Sequence, residues 1–111
     1  MTRLQKIQNK IKNSTADAVL LTSEINQFYA SGLEYSDGYV LVCKNSAFLL
    51  ADFRYIEIAK MTVGDDFTVI MPKKTMIAEL CDIISQEGLR TIAIEDATLS
   101  CAVFEKLKSM S

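Results

Sequence analysis

No apolar run in these 111 residues is longer than five, and the two that reach five are Tyr39 to Cys43 and Ala47 to Ala51. Crossing a bilayer takes roughly 20 apolar residues in a row, so no membrane-spanning helix is expected. The core must instead be assembled from short strands and from helices that are apolar on one side only. The two five-residue runs are separated by the polar Lys44-Asn45-Ser46. That spacing predicts a hairpin, with Gly38 opening the first strand and Ala47 to Ala51 running back against it. Half of all residues are apolar and 23% are charged. Burying that much apolar surface offsets the entropy of ordering about a hundred residues, so one globular domain over 1–111 is expected.

The rest of the chain divides at Gly, Pro and capping residues. Leu4, Ile7 and Ile11 recur at helical spacing after Thr2, a suitable N-cap. Asp17 to Thr22 reads as a short buried strand. Ser23 then starts a helix with Ile25, Phe28 and Tyr29 on one face, which Gly32 stops. Arg54 to Thr62 is predicted helical, with Ile56, Ala59 and Met61 inward, and Gly64-Asp65-Asp66 breaks it. Phe67 to Met71 is a strand ended by Pro72. Thr75 caps a helix with Ile77, Leu80, Cys81 and Ile84 on one face. Gly88 closes that helix, with Leu89 as its hydrophobic contact. Thr91 to Glu95 is another buried strand, and Thr98 or Ser100 caps a last helix carrying Leu99, Val103 and Leu107. Strands alternating with helices, plus one hairpin, predict an α/β fold. Its sheet would be mixed and five-stranded, with one antiparallel hairpin and helices on both faces.

Several kinds of chemistry are excluded or disfavoured. The net charge is −2, and the basic cluster Arg3, Lys6, Lys10 and Lys12 alternates with apolar positions as a solvated helix face. No nucleic-acid partner is expected. The first twelve residues, MTRLQKIQNKIK, contain no apolar stretch of the signal-peptide kind, so a cytoplasmic chain is expected. Cys43, Cys81 and Cys101 are odd in number, form no CxxC and lie in apolar surroundings, which suits buried free thiols. The chain has no histidine. That removes the usual general base, the usual zinc ligand and the common nucleophile triads. Catalysis by this chain alone would rest on carboxylates, lysine or tyrosine.

Three constellations carry polar groups that could meet a ligand. The connection Gly32 to Gly38 brackets Glu34, Tyr35, Ser36 and Asp37 between glycines, either to present polar groups or simply to connect. At Asp52-Phe53-Arg54-Tyr55, Asp52 is placed to cap the following helix near residue 55, and Arg54 to pair with a carboxylate of the fold or of a ligand. The acidic pairs Asp65-Asp66 and Glu95-Asp96 lie in a turn and before a helix start. Acids suit both places without a metal, so no metal site is assigned. No glycine spacing fits a phosphate cradle.

At these residues the chain resembles a known family. Ser23-Glu-Ile-Asn26-Gln-Phe-Tyr29-Ala-Ser-Gly32, then Ser36-Asp37-Gly38, then Leu49-Leu-Ala-Asp52-Phe-Arg54-Tyr55-Ile-Glu-Ile-Ala59 are similar to the N-terminal domain of the creatinase/prolidase family. That family includes Xaa-Pro dipeptidases and Xaa-Pro aminopeptidases (prolidase and aminopeptidase P). Ile94-Glu95 and the stretch from Leu99 to Leu107 resemble its last strand and helix. The likeness spans essentially the whole chain in the right order. Glu24, Leu33, Phe53 and Ile58 depart from the family's proline, phenylalanine, glycine and glutamine, mild changes for the fold.

The resemblance implies a ribonuclease H-like fold and a non-catalytic role, with catalysis in a downstream pita-bread domain that these residues do not include. That missing domain would hold two divalent ions (Mn, Co or Zn), and this chain none. The implied partners are the chain's own catalytic domain, a second copy in a homodimer, and a proline-containing peptide. The residues carried over as substrate-facing or subunit-contacting are Asn26, Tyr29, Ser36, Asp37, Arg54 and Tyr55. Tyr35 joins them because it lies on the same connection, and Asp52 supports it. Two other readings share this pattern: a free-standing binding or dimerisation module, and the N-terminal domain of a creatinase-type C–N hydrolase.

Overall fold

The computed structural model describes residues 2–33 and 38–94. The hairpin forms as its sequence requires: β2 (Tyr39–Cys43) pairs antiparallel with β3 (Ala47–Leu50), placing Val40 opposite Leu49 and Val42 opposite Ala47. The strand before them, β1 (Ala18–Leu21), also pairs antiparallel with β2. Strand β4 (Thr68–Ile70) runs parallel to β3, and β5 (Ile92–Ile94) runs parallel to β1. The sheet order is β4-β3-β2-β1-β5, so β2 alone runs against the other strands. The expected mixed sheet is present. The antiparallel β1–β2 pair extends what the hairpin alone predicted.

The strands read as unbroken apolar runs because both faces of the sheet are covered. Alternate residues go to opposite sides. On one side Leu21, Val40, Val42, Ala47 and Leu49 pack with Leu4 and Ile11 of α1 (Arg3–Lys12). Ala30 of α2 (Glu24–Ser31) and Ala59 and Val63 of α3 (Ile56–Val63) join that cluster. On the other side Ala18, Leu20, Leu41, Cys43 and Leu50 pack with Leu80, Ile83 and Ile84 of α4 (Met76–Gln86).

Helix ends follow the capping residues. The Thr2 hydroxyl accepts from the Gln5 N–H, and the Gln5 side chain accepts from the Thr2 N–H, a capping box. The Ser23 and Thr75 hydroxyls accept from the N–H groups of Asn26 and Ala78. Past α4, the Leu89 N–H reaches the Ile84 carbonyl and the Gly88 N–H reaches that of Ser85. Gly88 sits at φ 65°, completing a Schellman motif, and Leu89 packs on the same cluster as Ile84.

Several expectations need correction. Ile25, Phe28 and Tyr29 of α2 face outward, Ile25 being 81% exposed, while Gln27 and Ala30 face the sheet. Met61 is 83% exposed, because Ala59 and Val63, four apart, define the inner stripe of α3 and Met61 lies between them on the far side. In α4, Ile83 is buried and Ile77 only partly so. Strand β5 is half-buried rather than buried, as it forms a sheet edge with Ala93 exposed. Strand β4 is shorter than the run Phe67 to Met71: Phe67 packs in the core before it, and Met71 is exposed after it. The expected last helix with Leu99, Val103 and Leu107, the pair Glu95-Asp96, and Cys101 lie outside the described residues, as do Glu34, Tyr35, Ser36 and Asp37.

Candidate functional site

Asp52 follows the interior strand β3, just past Ala51, whose N–H donates to the Ile70 carbonyl. Asp52 does not cap α3 in the expected way. Its Oδ1 accepts from the Arg54 N–H at 2.9 Å, and Tyr55, the N-cap residue, receives no side-chain cap bond. The reason is local: α3 begins only at Ile56, with Tyr55 as its N-cap, so the carboxylate upstream closes a tight turn on the Arg54 N–H instead.

The same carboxylate binds the Arg54 guanidinium. Nη2 lies 2.7 Å from Oδ2, and Nε lies 3.2 and 3.1 Å from the two oxygens. The guanidinium carbon stands 5.2 Å from the centroid of the Tyr55 ring, a cation–π distance. The Arg54 side-chain bond, helped by its backbone N–H, holds the Asp52 carboxyl below its ordinary value. The segment Asp52-Phe53-Arg54-Tyr55 is thus a self-paired unit with a half-exposed cation, positioned on a ring that packs against the core.

On α2, Asn26 sits in the first turn with its N–H on the Ser23 hydroxyl, and Tyr29 follows one turn later. The Arg3 guanidinium lies 5.4 Å from the Tyr29 ring centroid, which ties α1 to α2. Asn26 and Tyr29 line an apolar groove of about 420 Å³ with Ile7, Ile11, Val19 and Ala93. Asp52, Arg54 and Tyr55 do not line it. The structure therefore brings the sequence candidates together in two places, Asn26 with Tyr29 and Asp52 with Arg54 and Tyr55. Tyr35, Ser36 and Asp37 fall outside the described residues.

Two polar residues escaped the sequence reading. Gln27 is buried against the sheet and donates from Nε2 to the Gly38 carbonyl at 3.0 Å. Its one signal is helical register with Ala30 and Ser31, three and four residues on. Asp17 accepts through Oδ2 from the N–H groups of Arg90 and Thr91 at 2.9 and 3.1 Å, and its own N–H reaches the Thr91 carbonyl at 2.7 Å. Those two backbone donors hold its carboxyl below the ordinary value. Partners more than seventy residues away leave no local pattern to read.

Among the described residues no group of three or more His, Cys, Asp or Glu gathers in a way that could hold a metal ion. Asp65 and Asp66 are simply exposed turn residues. Cys43 and Cys81 are buried free thiols, and burial pushes the Cys43 thiol up, away from the reactive thiolate. No described helix is long and apolar enough to cross a membrane.

The strand order and the single reversed strand define a mixed-sheet α/β domain with helices on both faces. A family model for the creatinase/prolidase N-terminal domain matches residues 3–110, and the chain belongs to that family. It is 26% identical over 102 residues to the uncharacterized peptidase YqhT of Bacillus subtilis, covering 92% of this chain and 29% of that protein. Among solved structures it is similar to the aminopeptidase P of Streptococcus thermophilus, with a TM-score of 0.86 and 28% identity over 97% of this chain and 82% of that one. It is also similar to the X-Pro aminopeptidase of Thermotoga maritima, with a TM-score of 0.87 and 26% identity over 99% of this chain and 31% of that one. The chain spans 29% and 26% of the lengths of two curated relatives it matches.

Proposed function

We propose that these residues are the non-catalytic N-terminal domain of an Xaa-Pro peptidase, shaping the substrate entrance and contributing to a dimer. The observation that carries this reading is the family match from residue 3 to residue 110, set beside peptidase relatives more than three times as long. Bond hydrolysis is assigned to a further domain of the parent. The divalent ions that the family resemblance implies do not fit the donor set described here, and no step is routed through them.

What this chain supplies is recognition. A short peptide carries a charged amino group at one end and a carboxylate at the other. Asp37 is suited to the first and an arginine to the second. Arg54 is already paired with Asp52, so its part is to hold the turn and to present the outer edge of its guanidinium. Ser36 and Asp37 are the residues assigned to reach the substrate end. In the peptidase carrying this domain, Ser36→Ala and Asp37→Asn are each expected to raise KM for an Xaa-Pro dipeptide several-fold, with kcat within about twofold. Unchanged KM in both variants contradicts the entrance role.

The outward apolar face of α2 favours a contact role as well. Ile25 and Phe28, with Ile58 and Met61 of α3, are large apolar side chains left exposed. In the parent they would be covered by the catalytic domain or by a second copy. Sedimentation of this chain alone separates the two: about twice its 12.4 kDa places dimer contacts between these domains, and a monomer gives the face to the rest of the parent.

A further inference from the structure

Three segments meet at the end of the sheet where β1 begins. Asp17, just before β1, accepts through Oδ2 from the Arg90 and Thr91 N–H groups. Its own N–H donates to the Thr91 carbonyl, so Thr91 is held by both of its main-chain groups. From the turn between β2 and β3, the Lys44 ammonium comes within 3.9 Å of Oδ1, the other oxygen of the same carboxylate. Ser46 of that turn donates from its hydroxyl to the Glu87 carboxylate at the C-terminal end of α4, at 3.2 Å. The start of β1, the β2–β3 turn and the α4–β5 connection are thus joined by polar contacts at one corner, and Asp17 reaches both of the others.

The two sides of the α4–β5 connection are held very differently. On the helix side, Leu89 packs on the cluster that contains Leu80, Ile83 and Ile84, and its N–H donates to the Ile84 carbonyl. On the strand side, β5 is three residues long and last in the strand order, with Ile92 and Ile94 half-buried and Ala93 exposed. Its parallel ladder to β1 sets Ala18 beside Ile92, Val19 beside Ala93 and Leu20 beside Ile94. The contact of Asp17 with Thr91 lies one step before the first of these pairs, in the same register. A slip by one residue there would turn Ile92 and Ile94 away from the cluster they pack on. A carboxylate that accepts from two backbone N–H groups makes charge-assisted bonds, stronger than a ladder bond between neutral groups.

We infer that Asp17 is a latch. Its carboxylate holds the Arg90–Thr91 joint and so closes β5 onto β1, as a strap that opens as a unit while the rest of the sheet stays paired.

The test is residue-resolved amide hydrogen exchange at neutral pH on the 111-residue chain and its Asp17→Ala variant. The Arg90 and Thr91 amides lose their acceptor in that variant. The amides of Ile92 to Ile94 are expected to exchange about tenfold faster along with them, while those of Leu41, Val42 and Phe48 are unchanged. Asp17→Asn keeps an oxygen that can accept from both N–H groups but removes the charge, so a smaller rise at the same amides is expected. It also carries the test if Asp17→Ala does not fold. Lys44→Ala removes only an exposed pair and is expected to leave β5 unchanged. Faster exchange at Arg90 and Thr91 alone, with Ile92 to Ile94 unmoved, makes Asp17 an ordinary turn acceptor and overturns the latch. An equal rise across all five strands overturns it too. So does a rise at β5 in Lys44→Ala as large as in Asp17→Ala, which would assign the closure to the ion pair.

Discussion

Asp52 and Asp17 are both carboxylates whose ordinary value of 3.8 is lowered in the folded chain, for different reasons. Asp52 is held mainly by the Arg54 side chain and Asp17 mainly by two backbone N–H groups. A carboxyl with a depressed folded value stabilises the fold above its unfolded value, and that contribution is lost as pH falls through the folded one. Comparing each protein with its Asp→Asn variant in urea, the gap in unfolding midpoint should be full at pH 7. It should begin to close below pH 3.8 as the unfolded carboxyl takes its proton. A gap that stays constant down to the lowest pH at which the fold survives contradicts the assigned contacts. The sequence offered Arg54 a carboxylate of the fold and gave Asp52 the cap of α3; the structure joins the two residues instead. The contacts of Asp17 were not legible, because its partners follow α4 and only the closed sheet brings them near.

Among the elements, three caps, the two hairpin runs and the inner faces of α1 and α4 were legible, and the faces of α2 and α3 were not. Thr2, Ser23 and Thr75 each cap the helix that follows, because a hydroxyl before a helix meets free N–H groups whatever the tertiary context. The outer faces of α2 and α3 defied the apolar-means-inside rule: Ile25 and Met61 point to solvent, and the small residues Ala30 and Ala59 lie against the sheet. Small residues there let the helices approach closely, a choice that hydropathy cannot express. Accordingly Ile25→Asp and Met61→Ala should change the unfolding free energy of the chain by no more than about 0.5 kcal/mol. Leu80→Ala, at a fully buried site on α4, should cost about 2–5 kcal/mol by denaturant titration. Gly88 tests the end of α4. No atom lies within 4 Å of where its Cβ would stand, so Gly88→Ala meets only the strain of φ 65°. A loss of about 1 kcal/mol is expected, read as a lower melting temperature. No loss would mean that the Schellman closure does not constrain the helix end.

At the scale of the whole molecule, the mixed five-stranded sheet followed from short apolar runs and their separators, whereas the order of its strands came only with the structure. The site followed only in part. Asp52, Arg54 and Tyr55 do meet, and Asn26 and Tyr29 share a groove, but Gln27 emerged only once α2 was seated on the sheet. The account assigns recognition to this chain and bond cleavage to a domain beyond it. The most direct measurement is proline release from an Xaa-Pro dipeptide with Mn supplied, by the purified 111-residue chain and by the longer peptidase that carries it. The account predicts turnover by the longer protein and none by the chain alone. Turnover by the chain alone would contradict it.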